Sequence, residues 1–509
     1  MTALNHFFYA LIVLFLCTMP IESRHRDRDR KKHREPAPLP SQQHHIIESK
    51  VMPINLCSKE RDLKLVCHCS PDNENTKAHK AECWIFRSDL TLRDPDWTAF
   101  HTQTQLQSLG FSVHGTGNLS FIPTNVIQSL KHLEKLTIEY AQINEIFSFA
   151  FGNFTRIKNI TLPKNQIKSI NSYAFANHME LEELSMPSND IYEIDPFAFI
   201  GLPSLSRLNL AENRIQMLHE DTFESLEKLN ELTLSYNQIN ELTRETFKGL
   251  GNLWILKLDH NQLRIIEEES TFGELVSLIE MDLGHNLIET ITERAFDGLN
   301  NLKRLNLEHN RLKMLERGLF TATPALTYLN LMRNSLETVT LHTIQPLMNN
   351  LVNHTSMLLI KDNEFICDCR LAWIFDLKNR TKNFELKYSL EEIECTMKTK
   401  ERPSGVKIKV NVDDVMKKQV LNDEIAEYYD DESYDEQKKT QLTQIKQREL
   451  PCPQEYREQF EHPSTREFIG FDLSWMHSSA PKATHRAMTP LLSLALITHF
   501  ACTLAAFFR

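Results

Sequence analysis

Three imidazoles occupy the same place in the chain. His260, His285 and His309 each stand immediately before an asparagine, and Tyr236 does so one interval earlier. Side chains repeated on neighbouring strands lie roughly 5 Å apart. A row of imidazoles at that spacing has the chemistry to hold a transition metal or to titrate near neutral pH. No matching set of carboxylates accompanies the row, so it reads as an inert ladder at an exposed position. The other reactive side chains are cysteines. Of ten, Cys17 and Cys502 fall in end segments that processing would remove. The remaining eight form two groups, Cys57, Cys67, Cys69 and Cys83, then Cys367, Cys369, Cys395 and Cys452. An even set confined to two ends fits disulfide-stapled caps made in an oxidising compartment. The Cys67-His68-Cys69 triplet invites a metal, but adjacent soft ligands in such a compartment suit disulfides better. Four cysteines per cap allow three pairings, and spacing does not choose among them.

Catalytic constellations do not emerge. His219-Glu220 lacks the second histidine of a zinc-protease helix, and glycine is too sparse, at 13 of 509 residues, for a phosphate loop. No cofactor or metal is implied, and the chain is expected to act by binding rather than as an enzyme. A net charge of −11 on a mixed surface gives no reason to expect nucleic acid.

The elements that position these residues are set by a repeat. Asn165, Asn189, Asn213, Asn237 and Asn261 are 24 residues apart; Asn286 follows at 25, and Asn310 and Asn334 again at 24. Around each the text recurs, as in Leu205-x-x-Leu208-x-Leu210-x-x-Asn213-x-Ile215-x-x-Leu218, closed by Phe223 and Leu226. In Leu229 to Ser235, period-two alternation points Leu232 and Leu234 inward and Glu231, Thr233 and Ser235 outward. Asn237 then turns the chain and can bond backbone groups left unpaired by the bend. Ile239, Leu242, Phe247 and Leu250 fill the core on the return. One such coil cannot bury its own apolar face, so neighbours stack. The spacing and spelling predict an α/β leucine-rich-repeat solenoid with a curved parallel β-sheet on its concave face. Nine good copies start at Leu133, Ile157, Leu181, Leu205, Leu229, Leu253, Leu278, Leu302 and Leu326. A weak copy from Leu106 and a truncated one ending Leu358-x-Ile360-x-x-Asn363-x-Phe365 bring the total to about 10–11. Ala141 stands where asparagine is expected.

Around the repeats, 106–365, the chain divides further. Residues 1–23 read as a signal peptide, since the apolar run Phe7–Leu16 is too short to span a bilayer. Residues 24–53 form a basic, then Pro-rich arm; Arg24 to Arg34 could bind heparan sulfate, or be a solvated disordered tail. Residues 54–105 are the N-terminal cysteine cap. Residues 366–452 are the C-terminal cap, in which Leu371, Trp373, Ile374 and Phe375 cover the last coil. Its acidic insertion offers Tyr428, Tyr429 and Tyr434 as sulfation acceptors, the plain alternative being an unmodified loop. Residues 453–477 are a stalk. At 478–509 the small residues Ser478-Ser479-Ala480, a polar spacer and the tail 491–508 match a glycosylphosphatidylinositol (GPI) attachment signal, with Ser478 as the attachment residue. A membrane helix is the alternative, weakened by His499 in mid-tail and a single residue beyond it.

Sequons at Asn118, Asn153, Asn159, Asn353 and Asn379 fit a glycosylated surface. Asn159 takes an outward strand position, so its glycan would obstruct the earlier concave strands. On the later ones Trp254, Ile255, Ile279, Tyr328 and Met332 point outward, an apolar set suited to a protein contact. The plain alternative is that they only pack on one another.

The repeat spelling, the Cys67-His-Cys69 cap, the Cys367-Asp-Cys369-Arg-Leu-x-Trp373 cap and the lipid-anchor tail together resemble the extracellular leucine-rich-repeat adhesion proteins. That resemblance implies the pairs Cys57–Cys69, Cys67–Cys83, Cys367–Cys395 and Cys369–Cys452. It also implies a GPI-anchored, homophilic cell-surface adhesion protein, and the outward apolar set places its contact on the concave face. A GPI-anchored co-receptor or decoy for a soluble ligand is the alternative.

Overall fold

The computed structural model describes residues 54–58, 63–71, 77–152, 156–267, 270–353, 355–397 and 439–453. The signal peptide, the basic arm, Asn153, the three candidate sulfotyrosines, the stalk, Ser478 and the apolar tail lie outside the described residues.

Each repeat folds as one coil of a solenoid. Leu232, Leu234, Ile239, Phe247 and Leu250 are fully buried, and Leu242 nearly so, whereas Glu231 and Thr233 are partly exposed. Ser235, expected to face outward, is buried because its hydroxyl donates to Asp259 of the next coil. The strands stack into one 13-stranded sheet. It opens with an antiparallel hairpin, Leu65–Ser70 against Lys80–Ile85. From there eleven parallel strands run from Ser108–Val113 to Met357–Leu359, each paired in register with the next. The opposite side carries only two-residue strands such as Ser169–Ile170 and Thr290–Ile291.

Two ladders run the length of the core. In the first, each repeat asparagine bonds backbone groups on both sides. Asn213 Oδ1 accepts the Ile191 N–H at 3.0 Å, and its Nδ2 donates to Met186 O and Leu210 O, each at 3.0 Å. Neighbouring coils repeat this through Asn334 and Asn363. Where Ala141 replaces asparagine, its N–H donates to Asn165 Oδ1 at 2.8 Å, so the ladder starts one coil later. In the second ladder, fully buried phenylalanines stack coil upon coil: Phe151, Phe175, Phe199 and Phe223 at 5.2, 6.1 and 6.3 Å between ring centres. One core position departs from the pattern: fully buried His178 stands where later coils have leucine, and its Nδ1 donates to Phe175 O at 2.7 Å.

Both ends are covered and cross-linked. Disulfides join Cys57–Cys69 and Cys67–Cys83 at the first, and Cys367–Cys395 and Cys369–Cys452 at the second. Strand alternation at Leu65–Ser70 sends Cys67 and Cys69 inward and His68 outward, so the triplet does not converge on one point. The stretched repeat before the last strand holds helical turns at Leu341–Ile344 and Met348–Leu351. Helix Trp373–Arg380 then buries Trp373, Ile374 and Leu377 against the final coil, with Trp373 Nε1 donating to Val339 O at 2.7 Å. The cap's hairpin pairs Thr396 with Lys439, so the described chain on the two sides of residues 398–438 meets at one place.

Candidate functional site

The outward side chains of the sheet form rows, because every strand pairs in register with the next. Along the row that opens each strand stand Glu183, Arg207, Glu231, Ile255, Glu280, Arg304 and Tyr328. Most charges in it are matched across adjacent coils: Arg207–Glu183 at 2.9 Å, Lys257–Glu231 at 3.4 Å and Arg304–Glu280 at 3.6 Å. Such exposed pairs contribute little stability. They do leave the face polar and in register.

The apolar set singled out in the sequence is placed unevenly on this face. Trp254 and Ile279 stand just before their strands on adjacent coils, 52% and 36% exposed, with half-buried Ile255 beside them. Both lie at the edge of the sheet rather than on its centre, because the regular strand begins one residue later. Tyr328 and Met332 do not join them. Glu280 and Arg304 intervene, and the Arg304 guanidinium lies 4.1 Å over the Tyr328 ring. The single patch expected from the sequence is therefore a compact Trp254–Ile255–Ile279 cluster and a separate Tyr328 site.

The histidine row is also displaced from its expected place. His260, His285 and His309 lie beyond the strand ends, in turns with φ of 55°, 53° and 52°. This left-handed bend swings the rings to the rim of the sheet. There they stack closer than strand spacing, at 4.0 Å for Tyr236–His260 and 4.2 Å for both His260–His285 and His285–His309. Ring faces turned on one another cannot aim their nitrogens at one point, so the row does not fit a metal. Carboxylates, unseen in the sequence, do accompany it. His260 Nδ1 donates to Asp259 at 3.0 Å, and His285 Nε2 lies 3.5 Å from Glu308, which belongs to the following coil. Arg333 Nη1 donates to His309 Nε2 at 2.7 Å.

Asp282 lies beside Gly284, within electrostatic reach of Asp259 and Glu308. A Cβ at Gly284 would sit 2.8 Å from Asn306 Nδ2 and 3.1 Å from Asp282 Oδ1. The Gly284 N–H and the Asn306 amide both donate to Asp282 Oδ1 at 2.9 Å. Burial, with the like charges of Asp259 and Glu308 adding to it, still holds the Asp282 carboxyl above its usual range. Burial and then the two neighbouring imidazoles hold His285 below its ordinary value, against the pull of Glu308.

The sequons differ in access. Asn353 and Asn379 are exposed, and the Thr381 hydroxyl of the second donates to Leu351 O at 3.1 Å. Asn118 is half-buried. Asn159 lies in its strand between Lys135 and Glu183, with Nδ2 donating to Glu183 at 2.8 Å.

Two surfaces escaped sequence reasoning. An open hollow of about 460 Å³ over Gly110 is walled by Lys80, Glu82, Trp84, Lys135 and Glu139. On the opposite side of the solenoid, exposed Phe149, Tyr173 and Phe197 stack at 5.9 and 6.3 Å. The recurrence Phe-Ala-Phe, Tyr-Ala-Phe, Phe-Ala-Phe was the signal for the second.

Residues 180–239, 203–263, 267–312 and 300–351 match the leucine rich repeat family, and residues 97–206 match the BspA type leucine rich repeat region. Connectin of Drosophila melanogaster is 62% identical over 344 residues, 67% of this chain and 50% of connectin. The chain thus spans about half the length of that relative. Among solved structures, the octameric complex of Latrophilin 3, Unc5D and FLRT2 is 22% identical with a TM-score of 0.46, covering 54% of this chain and 81% of that one. The TLR13–ssRNA13 complex is 23% identical with a TM-score of 0.43, covering 62% and 50%. The family matches, the identity to connectin and the stacked coils agree: the chain belongs to the leucine-rich-repeat proteins.

Proposed function

We propose that this chain is a cell-surface adhesion protein that meets a second copy of itself across a cell gap, through the later half of its concave face. It acts by binding, without a cofactor. The observation that carries the reading is the cluster of exposed Trp254 and Ile279 with half-buried Ile255, on a sheet face rich in polar side chains and ion pairs. Large exposed apolar side chains gathered on a polar face are what protein interfaces use. A glycan at Asn159 leaves the later strands as the open part of the sheet. In the same reading the chain is held by a lipid joined at Ser478, its basic arm offers heparan sulfate a second contact, and the acidic insertion carries sulfate on Tyr428, Tyr429 and Tyr434. No helix among the described residues is long and apolar enough to cross a membrane.

The hollow over Gly110 favours a second reading, a co-receptor that captures a soluble factor. Aggregation of cells expressing the full chain separates the two. Homophilic adhesion clusters them, and Trp254→Ala with Tyr328→Ala disperses them while surface levels hold. A co-receptor leaves them dispersed from the start.

A further inference from the structure

The imidazole column on the rim is used by neither the core nor the apolar cluster. Its rings stand at 4.0–4.2 Å along three successive intervals. Each sits in a left-handed turn, a conformation that glycine or asparagine adopts at less cost. Charged groups meet the column on all sides that the structure describes. Glu212 holds the same position one coil before Tyr236 and is bonded to Ser188. Asp259 touches His260, and Glu308 of the following coil touches His285. Asp282, beside Gly284, feels the charge of both carboxylates. Arg333 closes the far end against His309 and pairs with Asp362 at 3.7 Å.

We propose that this column is an acid-operated switch on the concave contact: neutral rings leave the negative charge of Asp259 and Glu308 uncompensated, and charged rings cancel it. The inference rests on the adhesion reading above. With neutral imidazoles the stretch from Asp259 to Glu308 carries three carboxyl groups whose partners are neutral: Ser235 and His260 on Asp259, the Gly284 N–H and Asn306 on Asp282, and Asn330 on Glu308. A proton on His260 turns its bond to Asp259 into an ion pair, and one on His285 does the same with Glu308. A proton on His309 removes the lone pair that accepts from Arg333, so that contact breaks and the column opens at its end. Charged rings 4.2 Å apart also repel, which loosens the stack. Protonation of Asp282, favoured by its burial, moves the face the same way. Each step moves the surface toward positive charge on acidification.

The test is aggregation of cells expressing the full chain at pH 7.4 and 5.5, with H260N/H285N/H309N alongside. Asparagine accepts the left-handed turn and carries no proton-linked charge. The natural chain should aggregate about tenfold more slowly at the lower pH, and the triple variant should change by no more than about twofold. Equal rates for the natural chain at both pH values, or an equal loss in both proteins, overturns the switch. If the triple variant does not reach the surface, H285N alone serves, and it should remove at least half of the acid effect. If the natural chain fails to aggregate even at pH 7.4, the contact is wrong and the switch falls with it. Histidine ring titration by NMR then separates the causes: stepwise midpoints show a coupled column without that contact, and coincident midpoints reject the column as well.

Discussion

The side-chain oxygen of Asn237 accepts the backbone N–H of Ile215, one coil earlier, at 3.0 Å. The same amide donates to Leu210 O at 2.9 Å and Leu234 O at 3.0 Å, so one side chain ties two coils together where the strand ends. Replacing Asn237 with Leu leaves the buried Ile215 N–H without its partner, whereas Leu210 O keeps Asn213 and Leu234 O keeps Asn261. The expected cost is about 1–3 kcal/mol, the penalty of one unsatisfied buried group. Urea unfolding of the secreted chain measures it, and an unchanged midpoint would show that the ladder is dispensable.

A glycan placed on the sheet tests the contact without touching the core. Lys257→Asn with Asp259→Thr creates a sequon on an outward strand position beside Ile255. Expressing cells should stop aggregating once gel mobility shows the site is occupied. Continued aggregation at the normal rate moves the contact to the opposite face, where Phe149, Tyr173 and Phe197 are the next place to look.

Stability should fall on acidification, partly through His178. Burial lowers the pKa of this core imidazole in the folded chain, against the support of its bonds to Phe175 and Ala176. Below the unfolded value of about 6.5, the unfolded chain binds a proton that the folded chain refuses, so lowering the pH favours unfolding. His285 and His342 are shifted in the same direction and add to the slope. His178→Leu, which restores the residue type of later coils, should raise the melting temperature at pH 5.5 more than at pH 7.5. An equal gain at both pH values would assign the effect to packing alone.

The lipid anchor makes a separate claim. Phosphatidylinositol-specific phospholipase C should release the protein from intact cells in soluble form. Retention after a GPI-linked control has been released identifies the tail as a membrane helix instead.

Much of this architecture is legible in the residues, because one coil's chemistry repeats. Asn213 and Asn237 announce the ladder, and Leu232 with Leu234 announces the buried side of the strand. The rim was not legible. Positive φ is signalled by glycine or asparagine, and here tyrosine, histidine and arginine occupy the left-handed turns. Glu308 was invisible as a partner of His285 because it belongs to the next coil, and only stacking brings them to 3.5 Å. Tyr328 looked like a neighbour of Trp254 because outward direction can be read from alternation. Which charged side chain stands between two outward residues depends on the rows across strands.

The C-terminal hairpin has a consequence for proteolysis. The chain on the two sides of residues 398–438 meets where Thr396 pairs with Lys439, and Cys369 on the near side is bonded to Cys452 on the far side. A protease that clips this insertion therefore makes two polypeptides but not two particles. The repeats and everything beyond Cys452 stay joined through sulfur. The clipped molecule runs as one band on a gel without reductant and as two with it.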